Sequence, residues 1–248
     1  LVTIGGVYFS NVHAMAANTT LIRAINPQIQ ITIAERIEVF KKALAYNSFA
    51  AQEIREQIFQ VATAIFQANF SAEDKELFYQ FAKSEYEKMV QEVPGDARHY
   101  IFYGILLNAH GEYDAGLAAL QKAHELSPNK QTFLFEIGKV HVAAKNYPKA
   151  LEVFKQALDL APEYSEARIN YAIAAVYAGR NDIAKATLQE GFGTPFYAHD
   201  DLLRAYFETK QFDQILAVWQ DRVKKDATPR NYAGVAASYL QLGMRTQA

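Results

Sequence analysis

The sequence predicts an all-α fold: antiparallel helix pairs stacked into a right-handed α-α superhelix. Three observations carry that expectation. Twelve glycines and seven prolines in 248 residues make about 8% helix breakers, against roughly 12% in average usage, so long helices are permitted. Half of the residues are hydrophobic and 21% are charged, enough for a core and too few charges for a disordered chain. Large and small side chains also recur at a fixed interval of 34 residues, which is a sign of repeats rather than of one globular core. The net charge of −2 gives no basic footprint, so no nucleic-acid partner is expected. The absence of cysteine excludes a disulfide framework, thiolate metal sites and a cysteine nucleophile.

The elements follow in chain order. Residues 1–9 (LVTIGGVYF) are apolar, and Arg23 is the first Lys, Arg, Asp or Glu. Nine residues are too few to cross a bilayer, which takes about 20. Three readings compete: the end of a transmembrane helix whose start is missing, the remnant of a signal peptide with Ala14, Met15 and Ala16 as its cleavage site, or simply a buried segment, with Val, Ile and Tyr that suit a strand. The chain starts without Met and stops mid-pattern, so both ends read as cut. Thr32 with Glu35 forms a capping box ahead of a helix over residues 36–46, with Phe40 and Ala43 on its packing face. Two long helices follow, over residues 51–67 and 72–92, the second capped by Ser71 with Asp74.

From Ala82 onward the 34-residue interval takes over. Tyr86, Leu120, Phe154 and Leu188 are large; Ala82, Gly116, Ala150 and Ala184 are small, as are Ala123, Ala157 and Gly191 after Met89. Gly104 and Gly138 lie eight residues into two units, and Ala172 replaces them in the third. Each unit reads as two helices. Small residues let the two approach, and the large one fills the space between that pair and the next. Pro94, Pro128, Pro162, Pro195 and Pro229 are spaced 34, 34, 33 and 34 apart, and proline ends a helix. The units span residues 97–130, 131–164 and 165–194, with Tyr113 and Tyr147 opening second helices. Thr194 and Pro195, like Thr228 and Pro229, read as an N-cap followed by proline at the first helical position. Phe212 to Trp219 begins another second helix, 31 residues after Leu188 by its Trp219, and residues 229–242 form a first helix without its partner.

These positions resemble the tetratricopeptide repeat (TPR) family, over three consecutive units. The resemblance implies a TPR solenoid, and the chain divides accordingly. Residues 1–27 are read as the end of a transmembrane helix and a connector, and 28–96 as divergent N-terminal repeats. Residues 97–194 are three well-formed units, and 195–248 a degenerate unit and a truncated half unit. A second resemblance covers residues 1–60. Tyr8, Phe9, Ser10 and Asn11, then Leu21 to Ala24, Phe40 to Phe49, and Gln52 to Gln57 look like the junction of bacterial O-antigen ligase-like membrane proteins. There the last transmembrane helix enters a C-terminal TPR array. Relatives often place a basic residue and proline after the asparagine, whereas Val12 and His13 follow Asn11. The resemblance implies a parent that is a membrane glycan transferase, with its chemistry outside this chain, and membrane attachment through missing N-terminal helices. The alternative is a stand-alone soluble or secreted TPR adaptor. The lack of Lys or Arg in residues 1–22 leans toward an extracytoplasmic side.

No catalytic, cofactor-binding or metal-ligating residue is expected. None of the six histidines forms HExxH or an i, i+4 pair, Gly191, Phe192 and Gly193 lack the rest of a phosphate loop, and Asp200 and Asp201 read as helix-start acids. The candidate site is the concave groove that TPR first helices line. The resemblance maps it onto Ile101, Ile105, Phe135, Lys139, Val142, Ile169, Ile173 and Tyr177. Isoleucine at 101 and 105 occupies places where a carboxylate clamp needs polar donors, so the groove is expected to take an apolar helix or extended peptide from a protein partner. The competing reading is that these side chains only contact neighbouring helices.

Overall fold

The computed structural model describes residues 2–245, with residues 2–10 as backbone. Leu1, which opens the apolar N-terminal stretch, and Thr246–Ala248 of the half unit lie outside the described residues. Among the described residues there are thirteen α-helices and no strand, the architecture of an all-α helical-repeat solenoid. The chain divides into two compact units, the first ending at Pro128 and the second beginning at Asn129.

The first unit holds α1 (Val2–Ile25), α2 (Ile33–Leu44), α3 (Ala51–Gln67), α4 (Ala72–Glu92), α5 (Ala97–His110) and α6 (Tyr113–Leu126). They pair as α1 with α2, α3 with α4 and α5 with α6. The strand reading of residues 1–9 is overturned, because from Val2 onward they begin an unbroken 24-residue helix. Among the described residues no helix is long and apolar enough to cross a membrane. The capping box forms as the sequence implies: Thr32 Oγ1 accepts from the Glu35 amide at 3.2 Å and Glu35 Oε2 accepts from the Thr32 amide at 2.8 Å. Ser71 likewise accepts from the Asp74 amide. Phe40 of α2 packs between Phe78 and Phe81 of α4, with ring centroids 6.1 and 6.2 Å away. With Ile54, Ile58, Tyr86 and Met89 these form one apolar core.

The second unit holds α7 (Gln131–Ala143), α8 (Tyr147–Leu160), α9 (Ser165–Tyr177), α10 (Asn181–Phe192), α11 (Asp200–Glu208), α12 (Phe212–Lys225) and α13 (Pro229–Gln241). The first six pair in sequence and α13 lies against α12. Thr194 and Pro195 do not start a helix, contrary to the expectation. Gly193 ends α10 in the left-handed region at φ 69°, and Thr194 Oγ1 accepts from the Phe196 amide to make a turn. His199 caps α11 instead, Nδ1 accepting from the Asp201 amide at 3.3 Å. Thr228 and Pro229 do cap and open α13.

The fit between helices follows the small–large pattern. Leu120, Phe154 and Leu188 are buried, each beside a first helix that carries Gly104, Gly138 or Ala172. A Cβ placed on Gly104 would lie 2.6 Å from Leu120 Cγ, and one on Gly138 only 2.5 Å from Phe154 Cζ. A second register is structural. Each first helix from α5 to α13 ends in the same turn. The amides of Glu112, Asn146, Arg180, Gln211 and Met244 donate back to the carbonyls of Leu107, His141, Ala175, Tyr206 and Tyr239 at 2.7–2.9 Å. Just before each donor stands a residue with positive φ: Gly111, Lys145, Gly179, Lys210 and Gly243. Their spacings of 34, 34, 31 and 33 show that the chain is three residues shorter between Gly179 and Lys210, where α10 and α11 are short, and one residue shorter before α13.

Gly138→Ala is therefore expected to destabilise the second unit by about 1–3 kcal/mol, as overpacking does, although alanine is the better helix former. Gly138→Ala with Phe154→Leu copies the Ala172–Leu188 pair and is expected to recover most of the loss. Urea unfolding of the four-member cycle measures it; additive effects would contradict the direct fit.

Candidate functional site

The first helices present one row of side chains per turn, and the shared terminal turn fixes which residues correspond. In the second unit Lys139, Ile173 and Arg204 occupy one row. Val142, Val176 and Phe207 form another, and Ala143, Tyr177 and Glu208 a third. A contact supports this alignment: Tyr177 Oη donates to Glu208 Oε2 at 2.7 Å. The α11 members Arg204, Phe207 and Glu208 were missed by the sequence reading, because the three-residue loss shifts them out of the 34-residue interval. The signal that finds them is the repeated turn ending at Lys210.

The expected groove residues divide by burial. Phe135 and Ile169 of the second unit and Ile101 of the first are buried. Phe135 stacks on Tyr164 with centroids 6.0 Å apart. Ile105, Val142, Ile173 and Tyr177 are half-buried and Lys139 is exposed. The structure thus brings Lys139, Val142, Ile173, Tyr177 and the exposed Phe207 to the accessible part of the second unit's first-helix face. The Tyr177 ring stacks on Tyr147 at 5.4 Å and 12°, joining α8, α9 and α11. Burial, and then the Glu208 carboxylate, hold its hydroxyl protonated well above the ordinary phenol value. Lys139 is paired with Glu136 at 2.7 Å, and Arg204 with Asp201 at 3.1 Å. The face is apolar at its centre with locally balanced charges beside it.

Two polar seams lie in the first unit. Arg55, buried on α3, meets Glu92 at 2.6 Å and Glu85 at 3.4 Å on α4, and Tyr86 Oη donates to the Arg55 carbonyl. At the end of α5, His110 lies flat on the Tyr79 ring with centroids 3.6 Å apart and within 2.8 Å of Glu76. Glu112 accepts from Tyr79 at 2.5 Å and from Lys83 at 2.8 Å. Those two hydrogen bonds hold the Glu112 carboxyl below its usual range, despite some burial. Every carboxylate in these seams is already engaged by a donor. Among the described residues no three His, Asp or Glu side chains are grouped as a metal ion requires.

His99 stands apart. It is fully buried and neither ring nitrogen makes a hydrogen bond of good geometry; its polar neighbours are the Val93 backbone and an Asp96 carboxylate oxygen 3.7 Å from Nε2. Burial depresses its pKa, with Asp96 opposing the shift in part.

A tetratricopeptide repeat family model matches residues 141–192. The mitochondrial import receptor subunit TOM70 of Homo sapiens is 31% identical over 110 residues, which is 43% of this chain and 18% of that protein. The same protein of Rattus norvegicus matches over the same shares. The matched segment thus spans less than a fifth of the curated relatives' length. Among solved structures, a tetratricopeptide repeat protein from Parabacteroides merdae superposes with a TM-score of 0.59 at 15% identity, covering 94% of this chain and 89% of that one. YrrB, described as a TPR protein with an unusual peptide-binding site, gives 0.52 at 20% identity, covering 79% and 91%. At such identities the likeness is one of fold. The family match covers residues 141–192, and the same terminal turn recurs from α5 to α13.

The His99 environment has a pH consequence. Its folded pKa is depressed, so the unfolded chain binds the extra proton first. The stability it protects is complete above the unfolded value of about 6.5 and is lost as pH falls through that value toward the folded one. His99→Phe copies Phe133, its counterpart 34 residues on, and is expected to flatten the slope of stability between about pH 5 and 7. Thermal unfolding across that range decides it; an unchanged slope would assign the pH dependence to other groups.

Proposed function

We propose that the chain is a non-catalytic protein-interaction scaffold, and that the accessible first-helix face of its second unit takes an apolar helix or extended peptide from a protein partner. The observation that carries this is the set Lys139, Val142, Ile173, Tyr177 and Phe207, drawn from three adjacent rows of the first-helix face. These side chains are kept partly accessible on rigid helices, while their neighbours Phe135, Ile169 and Val176 are buried. Apolar groups held on a preformed scaffold bind with little ordering cost. The import-receptor name of the curated relatives and the peptide-binding site ascribed to YrrB support the same class of role.

The finer reading is that this array is the C-terminal part of an O-antigen ligase-like membrane glycan transferase. It rests on the junction resemblance and on α1, which has no Lys, Arg, Asp or Glu before Arg23. A stand-alone TPR adaptor accounts equally well for the repeats. The coding sequence upstream of Leu1 separates them. About ten hydrophobic spans of about 20 residues each support the transferase, and a start codon close to Leu1 removes it.

For the face itself, Ile173→Glu and Phe207→Glu are expected to weaken a peptide selected against the wild-type chain by at least about tenfold, or 1.4 kcal/mol, with helical circular dichroism preserved. Undiminished affinity in both folded variants would reject the face as the binding site.

A further inference from the structure

One position in the second helices breaks the small–large pattern. The large residue is preceded, four places earlier, by a small one: Ala82 before Tyr86, Gly116 before Leu120, Ala150 before Phe154 and Ala184 before Leu188. All four small residues are buried. In α2 the large residue is Phe40, and four places before it stands Arg36. The Arg36 side chain is half-buried, and its Nη1 donates to the Ala24 carbonyl in the last turn of α1, an end that favours a cation. That bond uses one of five N–H donors. The two buried arginines of the chain, Arg55 and Arg168, each have a glutamate within reach, at 2.6 and 3.5 Å. Arg36 has none among the described residues, and burial is what acts on its guanidinium, holding the pKa below the ordinary value. A charge withdrawn from water without a counter-charge is costly until an anion meets it.

The guanidinium borders a groove of about 250 Å³ whose other walls are apolar: Ile25 and Pro27 at the end of α1, Val61 and Ile65 on α3, and Phe70 in the loop after it. Arg36 is the one charged residue in the lining. Ile65 is buried and Phe70 is 43% exposed, so the groove runs from the core of the first unit to solvent. Its walls come from three consecutive helices and the loop that follows them. We infer that this groove binds a small carboxylate with an apolar tail, the carboxylate on Arg36 and the tail along Ile25, Val61, Ile65 and Phe70. With Nη1 on Ala24, Nε and Nη2 remain as the parallel pair of donors that a carboxylate accepts. The volume lies just below the ~300–1,000 Å³ of drug-sized sites, which suits a chain of roughly eight carbons rather than a whole lipid.

Isothermal titration of the 248-residue chain with sodium octanoate is expected to show one saturable site with a dissociation constant of about 0.1–1 mM, the range that ligand efficiency allows ten heavy atoms. Octan-1-ol, the same chain without the charge, should bind at least about tenfold more weakly. Arg36→Met keeps an unbranched apolar side chain and should remove that difference by weakening octanoate alone. Ala64→Trp, at an exposed position in the groove wall, should fill the groove and weaken both ligands, with helical circular dichroism preserved. The comparison of the two ligands on the wild-type chain needs no variant. Absence of saturable octanoate binding by about 5 mM, or octanol bound as tightly as octanoate, overturns the inference. So does octanoate affinity unchanged in folded Arg36→Met or in folded Ala64→Trp.

Discussion

The close approach of two helices at one small residue is the constraint on which the rest of this structure depends. Gly138 has no room for a Cβ because the Phe154 ring occupies that space, and Gly104 stands in the same relation to Leu120. Where the small residue is Ala172, the large one is Leu188 rather than phenylalanine, so the volume of the pair is shared rather than fixed at either site. Burying such a side chain contributes about 1.5–3 kcal/mol, and only at this separation. A repeat protein gains most of its stability from such neighbour contacts, so the interval of 34 residues is the sequence's record of a packing distance. The terminal turn obeys the same demand. Lys145 and Lys210 take φ 58°, where a side chain costs roughly 1–2 kcal/mol, because the turn must bring the second helix back at the spacing set by the pair.

The first unit solves the problem differently in its divergent part. Between α3 and α4 the packing is aromatic and ionic: Phe59 lies edge-on to Tyr86, and Arg55 is buried against two glutamates. Glu85 is buried with it and Glu92 is exposed, and removing the buried partner costs far more than that pair contributes over an apolar replacement. Its value therefore lies in selecting one alignment of two long helices, whose smooth apolar stripes would otherwise pack in several registers. The Tyr79, Glu112 and Lys83 contacts do the same between α4 and the turn after α5. Both seams hold α4, the helix in which the 34-residue pattern begins, against α3 and against the turn after α5.

This difference explains what could be read from the sequence. The repeat positions were legible because one residue type recurs at one interval, and the Thr32–Glu35 and Ser71–Asp74 caps because their partners are three residues apart. The polar seams were not, since Arg55 and Glu92 are 37 residues apart and Tyr79 and Glu112 are 33 apart, with no local signature. Thr194 and Pro195 misled because the local motif for a helix start was present, while the chain there forms a loop and His199 caps the helix instead. Within the candidate site, Phe135 and Ile169 have the right periodicity for a first-helix face. Periodicity cannot distinguish a side chain at the edge of that face from one tucked between helices, and the Tyr164 ring that covers Phe135 comes from outside the pattern.

The loss of three residues between Gly179 and Lys210 also shows which part of the first-helix face is under constraint. α11 has nine residues where α7 and α9 have thirteen, and the shortening falls at its start, where the Gly193–His199 loop replaces the first turn. Its last turn is kept, with the Gln211 amide bonded back to Tyr206 and Glu208 bonded to Tyr177. Because the two helices of a pair join at that end, a deletion there would move the whole second helix, whereas a deletion at the start moves only a loop. The C-terminal rows of the face, containing Val142, Tyr177 and Phe207, are thus aligned by the same turn that aligns the fold. They are the rows whose alignment across α7, α9 and α11 the shared turn preserves.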